Sequence, residues 1–166
     1  MLRYLATSLL LLIFVPNALP LSSMELTGPV AIVSNDIDIV TAESLRKSLE
    51  SMEFEVEIFS PDELAKALSF AQFVILLGGH KAPGGIGDLV APLLSGSEKA
   101  NLEKKGYAYY FIRKAWGKYF VIIAGNDRFC TYRASNTFIV RGIRELRSYM
   151  QSPSIALVIV PAPMGG

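Results

Sequence analysis

The sequence predicts an α/β fold: a flavodoxin-like three-layer sandwich with a mostly parallel sheet and one hairpin-linked edge strand. Continuous apolar runs at residues 30–34, 73–77 and 120–124 have the length of strands buried on both faces. Between them lie segments with helical spacing, and strands alternating with helices at short spacing imply βαβ units and a covered parallel sheet. The first run is the most apolar and the second strand the most amphipathic, which predicts the order 2-1-3 with later strands added beyond.

Taken in order, Val-Ala-Ile-Val-Ser at residues 30–34 reads as a central strand, and Asn35, Asp36, Ile37 and Asp38 form the loop after it. Thr41 is the expected N-cap of a helix whose inner face carries Ala42, Leu45, Leu49 and Met52. Residues 54–59 alternate apolar residues with glutamates, as a half-exposed strand near an edge does. Ser60-Pro61-Asp62-Glu63 is a capping box with proline at the first helical position, so a second helix starts there, with Leu64, Ala67 and Leu68 inward. Residues 73–77 are the next buried strand, running into a glycine-rich loop at residues 78–87. Ile86, Leu89, Val90, Leu93 and Leu94 fall at helical spacing, with Pro92 tolerated near the start. After Ser95-Gly96-Ser97 a short helix is expected at residues 98–105, closed by Gly106. Residues 107–113 and 119–124 read as strands joined across Lys114-Ala115-Trp116-Gly117-Lys118. A long helix follows, with Ile139, Ile143, Leu146 and Met150 inward and Arg133, Arg141, Arg144 and Arg147 outside that stripe. Residues 155–160 form a last apolar strand, and residues 161–166 a breaker-rich tail.

Residues 1–23 stand apart from this pattern. Arg3, an apolar run over residues 4–15, then Pro16 and Asn17 make the charged and apolar regions of an export signal. Cleavage after Ala18 or Ser23 is one expectation. An uncleaved anchor is the other, because residues 4–21 approach the ~20 residues that cross a bilayer. Either way, residues 24–166 are expected to form a single α/β domain that is extracytoplasmic, meeting the membrane only through the N-terminal segment. Cys130 is the only cysteine, so an intrachain disulfide and a cysteine zinc cluster are excluded.

From Met24 onward 15 Lys plus Arg balance 15 Asp plus Glu. They are unevenly placed: ten acids and three bases lie between Met24 and His80, five acids and twelve bases between Lys81 and Gly166. Such a split either gives a dipolar surface favouring self-association or an anionic partner, or reflects no more than solvated helix faces. No nucleic-acid partner is expected.

The polar groups that can carry function are expected on the carboxyl-end rim of the sheet, where open α/β folds bind ligands. Gly79 and Gly84 have the separation of a P-loop's glycines, but Gly85 and Ile86 stand where Lys-Ser/Thr must be. The loop therefore cannot hold nucleotide phosphates in that way, although its amides remain available to an anion or carbonyl. His80 and Cys130 each follow a strand on this rim, which permits a Cys-His nucleophilic pair as in class I glutamine amidotransferases. Against it, Gly125 occupies the turn where those families place cysteine, and Cys130 shares a helical face with Ala134 and Phe138. A buried, unreactive cysteine is the expectation. Asp127 suits the helix dipole, and Arg128 is placed to pair with Asp36 or Asp38. Asp36, Asp38 and Asp127 are also a candidate carboxylate cluster for a divalent cation, though no further oxygen ligands accompany them. The expected ligand-binding rim is Asn35, Asp36, Gly78, Gly79, His80, Asn126, Asp127 and Arg128. No metal or other cofactor is expected, and the hairpin aromatics, Trp116 among them, read as edge packing.

The run Val121-Ile122-Ile123-Ala124-Gly125-Asn126-Asp127-Arg128-Phe129-Cys130-Thr131 follows an earlier Phe73-Val74-Ile75-Leu76-Leu77-Gly78-Gly79. Together they resemble the strand-Gly-Gly, then strand-Ala-Gly-x-Asp-Arg-x-x-Thr-helix arrangement of archaeal extracytoplasmic proteins of the S-layer type. The Ala-Gly-x-Asp-Arg part is also similar, more loosely, to bacterial cell-wall-binding repeats. The likeness covers about residues 73–150. Cys130 stands where that family commonly has glycine, and the Lys114 to Lys118 loop lacks its Asn-Pro segment. The resemblance implies a non-enzymatic surface or envelope role, with other envelope or surface-layer proteins or cell-wall glycans as partners.

Overall fold

Five strands form one sheet in the order β2-β1-β3-β5-β4. The structure is a computed structural model and describes residues 28–151. The expected leader at residues 1–23, the strand at 155–160 and the tail at 161–166 lie outside the described residues. β1 (Val30–Ser34), β2 (Val56–Phe59), β3 (Phe73–Leu77) and β5 (Lys118–Gly125) run parallel, and β4 (Ala108–Ala115) pairs antiparallel with β5. Every residue of β1 and β3 is buried, whereas β2 alternates. A strand covered on both faces needs an unbroken apolar run and an edge strand does not.

Three helices cover each face. On one side α1 (Ile39–Glu50), α5 (Arg128–Thr137) and α6 (Ile143–Gln151) enclose a core that includes Ile32, Leu45, Ile75, Ile123, Ala134, Phe138 and Leu146. On the other, α2 (Leu64–Phe70), α3 (Ile86–Val90) and α4 (Gly96–Leu102) enclose Val33, Ala67, Leu76, Val90, Leu102, Phe111 and Ile122. The architecture is the flavodoxin-like three-layer α/β sandwich. Among the described residues no helix is long and apolar enough to cross a membrane.

Several local expectations are corrected. α1 begins at Ile39 with Asp38 as its N-cap, and Thr41 is buried inside the helix. Met52 lies beyond its end and is exposed. β2 is shorter than residues 54–59, starting at Val56. The apolar segment after the glycine loop is broken into α3 and a 3-10 turn, Ala91–Leu93, because Pro92 donates no amide hydrogen bond. Ser95 does not interrupt the chain: with Glu98 it forms a reciprocal capping box that starts α4 at Gly96, and α4 ends at Leu102, ahead of Gly106. The segment joining β4 and β5 shrinks to Trp116 and Gly117, both at positive φ (49° and 73°), the two-residue turn that matches strand twist.

The long helix contains a π-helical turn, Phe138–Gly142, whose extra residue shifts the inward stripe. Phe138 fills the core between the rings of Phe73 and Tyr110, Ile139 is only partly buried, and Ile143 and Leu146 face inward after the turn.

Candidate functional site

A cleft of about 550 Å3 opens on the carboxyl-end rim. It is bounded by the loops after β1, β3 and β5 and by the end of α4. This is the topological switch region, where the chain leaves β1 for β2 on one side and β3 lies on the other. Gly78, Gly79, His80, Asn126, Asp127 and Arg128, all expected at the rim, line it together. His80 and Asp127 meet there because β3 and β5 are parallel neighbours, with Leu77 level with Ile123.

Asn35 and Asp36 do not line the cleft; Ile37 and Asp38 do so instead. Asn35 is buried and braces the loops: its Nδ2 donates to Pro83 O at 2.8 Å, and its Oδ1 accepts from the Asp38 amide at 3.0 Å. Asp36 faces solvent. The candidate three-aspartate cation cluster is therefore not assembled, and no group of His, Cys, Asp and Glu able to hold a metal occurs among the described residues.

Two glycines make the rim's geometry possible. Gly78 has φ 130° and is buried, and an added Cβ would lie 2.9 Å from Ala82 Cβ and 3.0 Å from Ile86 Cγ2. At Gly125 an added Cβ would lie 2.3 Å from Cys130 Cβ, so only glycine lets β5 turn this closely into α5. Gly79, by contrast, has no positive φ, and an added Cβ would make only ordinary van der Waals contacts, with Gly125 O at 3.7 Å and Ala124 Cβ at 4.0 Å.

Asp127 is the N-cap of α5, its Oδ1 accepting from the Cys130 amide at 2.8 Å. Asp38 occupies the equivalent place on α1 but makes no side-chain cap bond. Its Oδ1 is buried without a hydrogen-bond partner, and the residue is 6% exposed. Burial raises the Asp38 pKa, opposed by the positive charge of Arg128. Arg128 thus acts on Asp38 through the field rather than through the direct ion pair expected from the sequence. Asn126 ties the rim to the neighbouring loop, its Oδ1 accepting from the Gly106 amide at 3.2 Å.

On the opposite wall Glu103 holds Lys81 Nζ at 2.8 Å and His80 Nε2 at 3.3 Å. The hydrogen bond from Lys81, then that from His80, pulls the Glu103 carboxyl below its ordinary range. His80 Nδ1 is buried and has no partner. α4 places Glu103, and α4 is anchored by Glu98, which accepts from Arg113 Nη2 while Arg113 Nε donates to Leu93 O. Burial acts to raise the Glu98 pKa, but the bonds from Arg113 and Ser95 more than offset it and hold the carboxyl low.

Cys130 lies behind the rim, 3% exposed, and is not among the cleft-lining residues. Burial first, then a hydrogen bond to Asp127, pushes its thiol pKa up. His80 is engaged with Glu103. The thiolate that nucleophilic chemistry needs is disfavoured here, and the thiol does not share the cleft that His80 lines.

Sequence reasoning missed Leu102, Glu103 and Thr131 as lining residues. Leu102 and Glu103 carry no local signal, since they arrive on a helix that precedes β4. The fold and cleft define a flavodoxin-like α/β domain with a mixed polar and apolar rim site. The chain matches no protein-family model, no curated protein and no solved structure.

Proposed function

We propose that this chain is an exported cell-surface or envelope module of the S-layer type, which binds and assembles without catalysing a reaction. The observation that carries the reading is a rim cleft furnished for recognition, with Asp38, His80, Asn126 and Arg128 beside the backbone of Gly78 and Gly79, while the Cys130 thiol lies behind it with its pKa raised by burial. The export-type leader and the Ala-Gly-x-Asp-Arg-x-x-Thr motif support the same reading from the sequence. The motif's parts have physical roles here: Gly125 permits the turn, Asp127 caps α5, and Thr131 Oγ1 donates to Asp127 O at 3.1 Å. The partners proposed are other envelope or surface-layer proteins, or cell-wall glycans.

Binding of the purified full chain to isolated envelope fractions tests this. A Cβ at Gly79 meets only ordinary contacts and no positive φ, so Gly79→Phe is the variant that places bulk in the cleft, with its thermal midpoint measured alongside to show that the fold is kept. We expect Gly79→Phe to weaken envelope binding at least tenfold, by about 1.4 kcal/mol, and Cys130→Ala to leave it unchanged. The alternative is a small cysteine-dependent hydrolase or amidotransferase-like enzyme using Cys130 and His80. It would displace this reading if the wild-type chain cleaved amide or ester substrates and Cys130→Ala abolished that turnover.

A further inference from the structure

Two of the residues that line the cleft carry buried polar atoms with nothing to bond. Asp38 is 6% exposed, and its Oδ1 has no partner. His80 Nε2 faces the Glu103 carboxylate, so the neutral imidazole carries its proton there, and Nδ1, buried and unpartnered, is left as an acceptor. Both orphan atoms call for donors. Leaving such groups buried and unpaired is costly, and a ligand that donates to them removes that cost. Asp38 and His80 stand on loops leaving neighbouring strands, β1 and β3, whose ends are level at Ser34 and Leu77.

The start of α5, after the next strand, offers the opposite chemistry. Arg128 is exposed, its guanidinium makes no hydrogen bond or ion pair among the described residues, and its charge is felt at Asp38. Asp127 satisfies the Cys130 amide, and the Thr131 amide bonds to Asp127 O, which leaves the first two amides of this ten-residue helix, those of Arg128 and Phe129, without an intrahelical partner. In the lining as a whole three carboxylates, Asp38, Glu103 and Asp127, meet two cations, Lys81 and Arg128. A simple anion is therefore opposed by excess negative charge, whereas a molecule carrying both an ammonium and a carboxylate matches both ends. Neighbouring strands lie ~4.8 Å apart, so a compact zwitterion spans the gap. Ile37, Ala82, Pro83 and Leu102 supply apolar lining, and the cleft's volume of about 550 Å3 leaves room for a side chain against them.

We propose that the cleft binds a free α-amino acid with a large apolar side chain, of the leucine or phenylalanine kind. Its ammonium donates to Asp38 and His80, its carboxylate is held by Arg128 and the first amides of α5, and its side chain lies against Ile37 and Leu102. The inference rests on the cleft being a binding site and names the class of ligand that the site takes.

Titration calorimetry and thermal melts of the full chain with L-leucine, N-acetyl-leucine, leucinamide and glycine are the test. We expect leucine to bind saturably and to raise the thermal midpoint. N-acetyl-leucine lacks the ammonium, leucinamide the carboxylate and glycine the side chain, and each should bind at least tenfold more weakly. Asp38→Asn and Arg128→Gln should each weaken leucine binding at least tenfold, their own thermal midpoints showing that the fold is kept. The ligand series on the wild-type chain decides the matter even where a variant fails to fold. Absence of leucine and phenylalanine binding at millimolar concentration overturns the proposal, as does N-acetyl-leucine binding as tightly as leucine, or leucine binding that a folded Asp38→Asn chain retains in full. Saturable binding of N-acetylglucosamine in place of leucine overturns it in favour of a glycan. Envelope binding weakened by Gly79→Phe, without leucine binding, removes the ligand class and keeps the envelope reading. Leucine binding abolished by Gly79→Phe, without envelope binding, does the reverse.

Discussion

Asp38 and Asp127 occupy matching places and behave oppositely. Each follows a strand of the parallel sheet, each is the N-cap of a helix on the same face, and each lines the same cleft. Asp127 has extended backbone (φ −149°, ψ 172°), which lets its carboxylate turn back onto the Cys130 amide. Asp38 has φ −98° and ψ 8°, which aims the side chain elsewhere, and Asn35 accepts from its amide. One aspartate is used up by the fold. The other keeps a buried oxygen without a donor, a costly arrangement that makes Asp38 the acidic lining group with hydrogen-bonding capacity to spare.

The largest expected effect comes from breaking the turn that makes Asp127 a cap. Gly125→Val drives a side chain into Cys130, and urea unfolding should show a loss of about 3 kcal/mol, the upper part of the range for overpacking. Removing the cap alone is milder: Asp127→Ala should cost about 1 kcal/mol in the same measurement.

Asp38→Asn should act in the other direction. The folded-state pKa of Asp38 is raised above 3.8, so between that value and its raised one the folded chain holds more protons than the unfolded chain. This group's contribution to stability therefore falls as pH rises through that window. The asparagine variant should therefore be more stable than the wild type at pH 7. The difference should vanish below pH 3.8, where both states protonate the aspartate. Urea titrations at both pH values check the sign, and greater stability of wild type at pH 7 would contradict the account of Asp38. The smallest effect concerns Cys130: its raised thiol pKa and 3% exposure predict negligible labelling by a thiol reagent at pH 8 until denaturant is added.

The sequence by itself determined the strands of the described residues and the order of the first three, because a strand buried on both faces admits only an unbroken apolar run and an edge strand such as β2 tolerates glutamates. It also determined the capping box at Ser60 and Glu63, a signal contained within four residues, and the place of the rim, since glycines and polar residues follow the apolar runs directly. What only the tertiary structure decided depends on segments distant along the chain. Asp38 and Thr41 are both acceptable caps; α1 starts at Asp38 in a loop that Asn35 braces by bonding to Pro83 across the rim. The inward phase of α6 depends on an extra residue at the π turn, where Phe138 packs between Phe73 and Tyr110. Glu103 reaches the cleft only because Arg113 on β4 anchors Glu98 in α4. Local patterning records which side of a segment is buried, whereas a cleft forms where several segments converge, and that convergence is a property of their packing.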